Sequence, residues 1–192
     1  MGVRIPSWVS SLTNLVELTL FHNERLHHLP LLNQLHFLKF VNLERMEALE
    51  YIWIDEESVS NMLGASSSSK TPFFPSLSHL QFRFFPNLKG WWRNLDDDDD
   101  NEPHHLLLPC LSKLDIRECP NLTSTPPFPY LKERLTLRGY SWKALEQTMK
   151  MKMGVATTSI YFPLSQLQQL RLERINDLES LPEEGLRNLV SL

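Results

Sequence analysis

Cysteine is nearly absent from this sequence: Cys110 and Cys119 are the only two in 192 residues. A disulfide framework of the kind that staples small secreted domains is therefore excluded, and a reducing compartment is favoured. Glycine is also scarce, with six residues, and none lies in a phosphate-cradling loop, so nucleotide binding is not expected of this chain. No nucleophile arrangement and no His-Glu-x-x-His motif occurs, which argues against an enzyme. No run reaches the roughly 18 consecutive apolar residues of a membrane span. Arg4, Pro6 and Ser7 interrupt the first dozen residues, so the apolar core of a secretory leader is missing too. Acidic residues outnumber basic ones by 23 to 19, a net charge of −4, which lacks the strongly basic signature of general nucleic-acid binding.

What the sequence has in quantity is leucine at fixed spacing. Leu111, Leu114, Ile116, Cys119 and Leu122 follow the template of a leucine-rich repeat, a short strand followed by a polar turn position. Leu15, Leu18, Leu20, Asn23, Leu26 and Leu29 repeat it near the start, and Leu167, Leu170, Leu172, Ile175, Leu178 and Leu181 near the end. Between them the pattern predicts a repeat on Leu35, Leu38 and Phe40 and another on Leu77, Leu80, Phe82, Phe85 and Leu88. A weaker one on Leu131, Leu135 and Leu137 has one extra residue between its first two leucines. Each Leu-x-Leu pair reads as a strand with its leucines inward and the intervening residues outward. Stacked repeats form a parallel sheet on the concave face of an α/β solenoid, with loops and short helical turns on the convex face.

The predicted unit is one leucine-rich repeat domain over residues 1–192, a fragment uncapped at both ends. Insertions are expected at 53–71, 93–105 and 141–159. The last holds Trp142, Leu145 and Met149 at helical spacing, which predicts a short amphipathic helix.

Two clusters invite a metal reading. Asp96 to Asp100, with Glu102, His104 and His105, combines hard and borderline ligands, but adjacent like charges lack the alternating geometry of a calcium loop and read as a solvated segment. His22, His27, His28 and His36 have no cysteine beside them and fall at turns and surfaces. No metal and no cofactor is expected. Asn121-Leu122-Thr123 is a glycosylation sequon, silent without a secretory leader.

The outward strand positions carry the functional expectation. They thread as Glu17, Thr19, Phe21; Phe37, Lys39, Val41; His79, Gln81, Arg83; Lys113, Asp115, Arg117; Arg134, Thr136, Arg138; and Gln169, Arg171, Glu173. Seven are basic and three acidic, so a net of +4 is expected on an acidic protein. Arg83, Arg117 and Arg138 share one lateral position, an arrangement that costs stability unless an anion or solvent relieves it. Phe21, Phe37 and Val41 form an apolar patch. A protein-binding face is expected, apolar at its N-terminal end and basic toward the middle: Phe21, Phe37, Lys39, Val41, Arg83, Lys113, Arg117, Arg134, Arg138 and Arg171.

Several motifs together resemble the repeat region of plant intracellular immune receptors of the nucleotide-binding leucine-rich repeat class, coiled-coil type. They are Ile5-Pro6-Ser7-Trp8-Val9 running into Leu12-Thr13-Asn14-Leu15, then Phe74-Pro75-Ser76-Leu77, Leu108-Pro109-Cys110-Leu111, Cys119-Pro120-Asn121-Leu122 and Leu181-Pro182-Glu183-Glu184-Gly185-Leu186. The resemblance implies a cytoplasmic sensing and autoinhibitory region, with access to the nucleus or the inner plasma-membrane face through partners. Those partners would be a pathogen effector or a guarded host protein, and the receptor's own nucleotide-binding module; no nucleic acid is expected. The chain departs from the class in having no phosphate-binding loop, and Leu43, Phe85 and Ile175 stand where the template expects Asn or Cys.

Competing readings are a receptor ectodomain, a substrate-recruiting subunit of a ubiquitin ligase, a metal-dependent hydrolase using Asp96 to Asp100 and His104, and a functionless truncated fragment. The first would carry Gly-x-Ile-Pro elements, which are absent.

Overall fold

The computed structural model describes residues 3–4, 6–29, 32, 35–53, 74–92, 108–123, 125, 128–140, 142–150, 164–175 and 177. Among these, six strands form one parallel sheet: β2 (Glu17–Phe21), β4 (Phe40–Glu44), β6 (His79–Arg83), β8 (Lys113–Cys119), β9 (Arg134–Tyr140) and β10 (Gln169–Glu173). Each lies beside its predecessor in the chain. That order is what a solenoid requires, since every repeat packs only on its neighbours.

Alternation along each strand builds the core. In β6, Leu80 and Phe82 are buried while His79, Gln81 and Arg83 are half-exposed; β4 buries Val41 and Leu43 in the same way. In the edge strands β2 and β10 the inward leucines are only half-buried, because a neighbouring strand covers them on one side alone.

The second repeat departs from expectation. β4 pairs with β2 as Glu17 with Phe40, Leu18 with Val41 and Leu20 with Leu43, so the frame is Leu38-x-x-Val41-x-Leu43 and not Leu35-x-x-Leu38-x-Phe40. A three-residue shift is odd and flips every side chain to the other face. The observed frame buries Leu38, Val41, Leu43 and Met46 and keeps Asn42 outside, where its amide oxygen accepts from Gln81 of the next strand. The template's polar position is therefore Met46, not Leu43.

The extra residue of the fifth repeat is a local bulge. In the preceding junctions two consecutive N–H groups share one carbonyl, as Ser112 and Lys113 do on Ser78 O. After the bulge Gln168 bonds Lys132 O and Gln169 bonds Glu133 O separately. One inserted residue has supplied one more carbonyl.

After its third outward residue each of the six strands meets a left-handed residue, His22, Arg45, Phe84, Glu118, Gly139 or Arg174, with φ between 52° and 58°; in β8 and β9 it lies one residue before the strand's end. The left-handed step breaks the alternation, so the next residue can turn inward. Met46, Phe85, Cys119 and Tyr140 fill the core by this route. An apolar ladder replaces the polar ladder of the template. Cross-repeat polar bonds have moved two residues on: Asn87 Nδ2 donates to Glu47 O at 2.8 Å and Asn121 Nδ2 to Pro86 O at 2.6 Å.

The rear of the stack is more regular than loops and turns alone. β1 (Val3–Arg4) pairs with β3 (Leu26–His28), and β5 (Tyr51–Trp53) with β7 (Gly90–Trp92), both in parallel. Trp53 belongs to β5, so the expected insertion at 53–71 begins after it, and the rest of that segment and 93–105 lie outside the described residues. Within 141–159 the expected helix is present as α1 (Lys143–Lys150), with Trp142 and Leu145 buried and Met149 packed on the core. One hydrophobic cluster runs from Leu26 to Leu167, and Phe82 sits 5.7 Å from Phe85 and 5.4 Å from Trp91 at its centre.

Candidate functional site

The outward residues of the six strands form three columns in register. The first is Glu17, Phe40, His79, Lys113, Arg134 and Gln169; the second Thr19, Asn42, Gln81, Asp115, Thr136 and Arg171; the third Phe21, Glu44, Arg83, Arg117, Arg138 and Glu173. These columns make up the open face of the sheet, on which Thr136 is covered, at 3% exposure.

Three expected face residues fall elsewhere. Val41 is 4% exposed in the core and offers nothing to a partner, because the shifted frame turns it inward. Phe37 and Lys39 precede β4, in the turn and at its mouth; both are exposed. Phe40, Asn42 and Glu44 take their places. The columns then hold six basic residues (Arg83, Lys113, Arg117, Arg134, Arg138 and Arg171) and four acidic ones (Glu17, Glu44, Asp115 and Glu173). The net is +2 instead of the expected +4. Phe21, Arg83, Lys113, Arg117, Arg134, Arg138 and Arg171 stand where the spacing put them.

The stacked arginines are relieved from within the chain. Asp115 Oδ1 accepts from Arg117 Nε at 2.6 Å, and its Oδ2 accepts from Arg117 Nη2 at 2.8 Å and Arg83 Nη2 at 3.3 Å. Arg138 Nε lies 3.1 Å from Glu118 and Nη1 3.7 Å from Glu173, which also pairs with Arg171. The hydrogen bond from Arg171 holds the Glu173 carboxyl below its ordinary range. Glu118 is reachable only through the left-handed turn, so spacing on a strand could not reveal it.

The first column is arranged differently. The His79 ring lies 4.8 Å from Phe40 and its Nδ1 2.8 Å from Ser78 Oγ. Burial, then the Lys113 ammonium, lower its pKa, while Glu133 opposes them. Lys113 pairs with Glu133 at 2.9 Å, and this hydrogen bond lowers the Glu133 carboxyl. Arg134 Nε donates to the neutral Gln169 Oε1 at 2.9 Å. In the second column Gln81 Nε2 donates to Asn42 Oδ1 at 2.6 Å.

The other candidates separate from this face. Asp96 to Asp100, Glu102, His104 and His105 lie outside the described residues. His22, His27 and His36 are exposed, and no group of three or more His, Cys, Asp or Glu among the described residues is placed to hold a metal ion. Cys110 is exposed and Cys119 buried, both as free thiols. Burial pushes the Cys119 thiol up to about 12, which makes it inert at neutral pH. The sequon nitrogen of Asn121 is the donor to Pro86 O. No helix among the described residues is long and apolar enough to cross a membrane.

A stack of parallel strands in leucine-rich register with an exposed open face defines a leucine-rich repeat solenoid, a module of the protein-interaction kind. Residues 1–46, which span β1 to β4, match the family model described as R13L1/DRL21 LRRs. Comparison with curated proteins and with solved structures returned no match.

Proposed function

We propose that this chain is a non-enzymatic recognition module whose open face binds a protein partner, and that it serves as the effector-sensing and autoinhibitory region of a plant immune receptor. The observation that carries the recognition reading is the open face itself. Its N-terminal end exposes Phe21 and Phe40 at 49% and 38%, with Phe37 in the turn before β4 exposed at 57%, and its middle carries Arg83, Lys113, Arg117, Arg134, Arg138 and Arg171. Exposed aromatics beside arginines are the composition of interaction surfaces. The immune role is supported by the Cys-Pro-x-Leu and Leu-Pro-x-x-x-Leu motifs and by the family match over residues 1–46.

The test is partner recovery with Phe40→Ala combined with Gln81→Trp, which removes one aromatic and places a bulky ring mid-face without touching the core. Loss of the proteins that co-purify with the wild type is expected. An unchanged set, with folding intact by circular dichroism, would contradict the reading.

A further inference from the structure

We infer that the strand-start edge of the open face, built from Phe40, His79, Lys113 and Arg134 with Lys39 and Phe37 in the segment that leads into β4, docks an acidic peptide segment carrying an apolar side chain. This deepens the recognition reading and rests on it. The basic residues of the face divide by how they are partnered. Arg83 and Arg117 share Asp115, Arg138 lies between Glu118 and Glu173, and Arg45 stands over the Phe84 ring at 5.3 Å. Those cations at the strand ends are committed to the fold.

The cations at the strand starts have fewer carboxylates around them. Among the described residues Lys39 has no carboxylate partner, and Arg134 bonds only the neutral Gln169 amide. Lys113 does pair with Glu133, but the two side chains are 38% and 47% exposed, and a solvated pair of that kind exchanges at little cost. In the same column as Lys113 and Arg134 the exposed Phe40 ring, 4.8 Å from His79, supplies an apolar seat, and the exposed Phe37 lies in the turn that leads into its strand. The complementary ligand is therefore anionic on one side and apolar on the other. A single-stranded nucleic acid also meets basic and aromatic groups, but its phosphates recur along the whole strand. Glu17 beside Phe40 in the first column and Glu44 at the end of β4 would repel them. A peptide can place an apolar residue there.

Fluorescence anisotropy with the full chain tests this, using a short labelled peptide of alternating glutamate and leucine, its glutamine analogue and a labelled single-stranded oligonucleotide. The glutamate peptide alone is expected to bind, more weakly as salt rises. Lys39→Glu with Lys113→Glu should weaken it about tenfold, whereas Lys89→Gln on the rear of the stack should leave it unchanged. Binding should also tighten as the pH falls below the ordinary histidine value of 6.5, because burial and Lys113 hold the His79 pKa down in the free protein and a bound carboxylate favours its protonated form, which faces Phe40, Lys113 and Glu133. The inference is overturned if the double variant binds as wild type, if the glutamine analogue or the oligonucleotide binds as well, or if no peptide binds. The recognition reading is judged separately by partner recovery with Gln81→Trp alone, which lies outside the peptide seat, so the two can fail independently.

Discussion

Six residues in left-handed conformation, one per repeat, let the chain leave each strand and re-enter the core. Five of them carry side chains, at a cost of about 1–2 kcal/mol each against a right-handed alternative. Gly139 alone escapes it. A Cβ added there would meet Glu118 Oε2 at 2.8 Å, so Gly139→Ala is expected to destabilise by about 1–2 kcal/mol in urea unfolding. His22→Gly, at the same position of an exposed turn, should stabilise by a few tenths to about 1 kcal/mol. Cys119 sets a second expectation. Its folded pKa is raised from 9.0 to about 12, so its contribution is complete below pH 9 and is lost as pH rises toward 12. Stability should fall over that alkaline window, and Cys119→Ala should flatten the fall. Thiol labelling of the native protein at neutral pH should modify Cys110 only.

At the scale of the element, the strands are held in place by side chains that bridge repeats. Asp115 on β8 holds Arg83 of β6 and Arg117 of its own strand, with its side chain 18% exposed. Asp115→Asn leaves two stacked guanidinium groups without their shared carboxylate and should cost about 1–2 kcal/mol, less at high salt. Retention of full stability at low salt would show that solvent screens the pair unaided. Strand positions were legible in the sequence wherever one leucine frame was available, as in β6, β8 and β10. In the second repeat Leu35, Leu38, Phe40, Val41 and Leu43 satisfy two overlapping frames, and only burial of Val41 against Leu18 and Leu80 chooses between them. The rear strands β3, β5 and β7 were missed because three-residue strands are too short to show a period. Glu118 and Glu133 were missed as ionic partners because a turn and a bulge, not alternation, present them to the face.

At the scale of the molecule, the stack buries one continuous apolar column and exposes one patterned face. The sheet face was anticipated as basic, and its positions from β6 onward were correctly placed. Its field was overstated, since Glu44 replaces Lys39 in the columns and most arginines are neutralised locally. What remains is a surface with aromatics at one end and partly partnered cations beside them, a gradient suited to a protein ligand rather than to a uniform polyanion. The rear, with Lys89 paired to Glu50 at 2.8 Å, offers a solvated alternative surface. Photocrosslinking inside the cells that make the protein separates these faces, with the reactive group placed at Gln81 on the open face or at Glu50 on the rear. A discrete crosslinked partner is expected from Gln81 and none from Glu50. Crosslinks from Glu50 alone, or the same products from both positions, would contradict it.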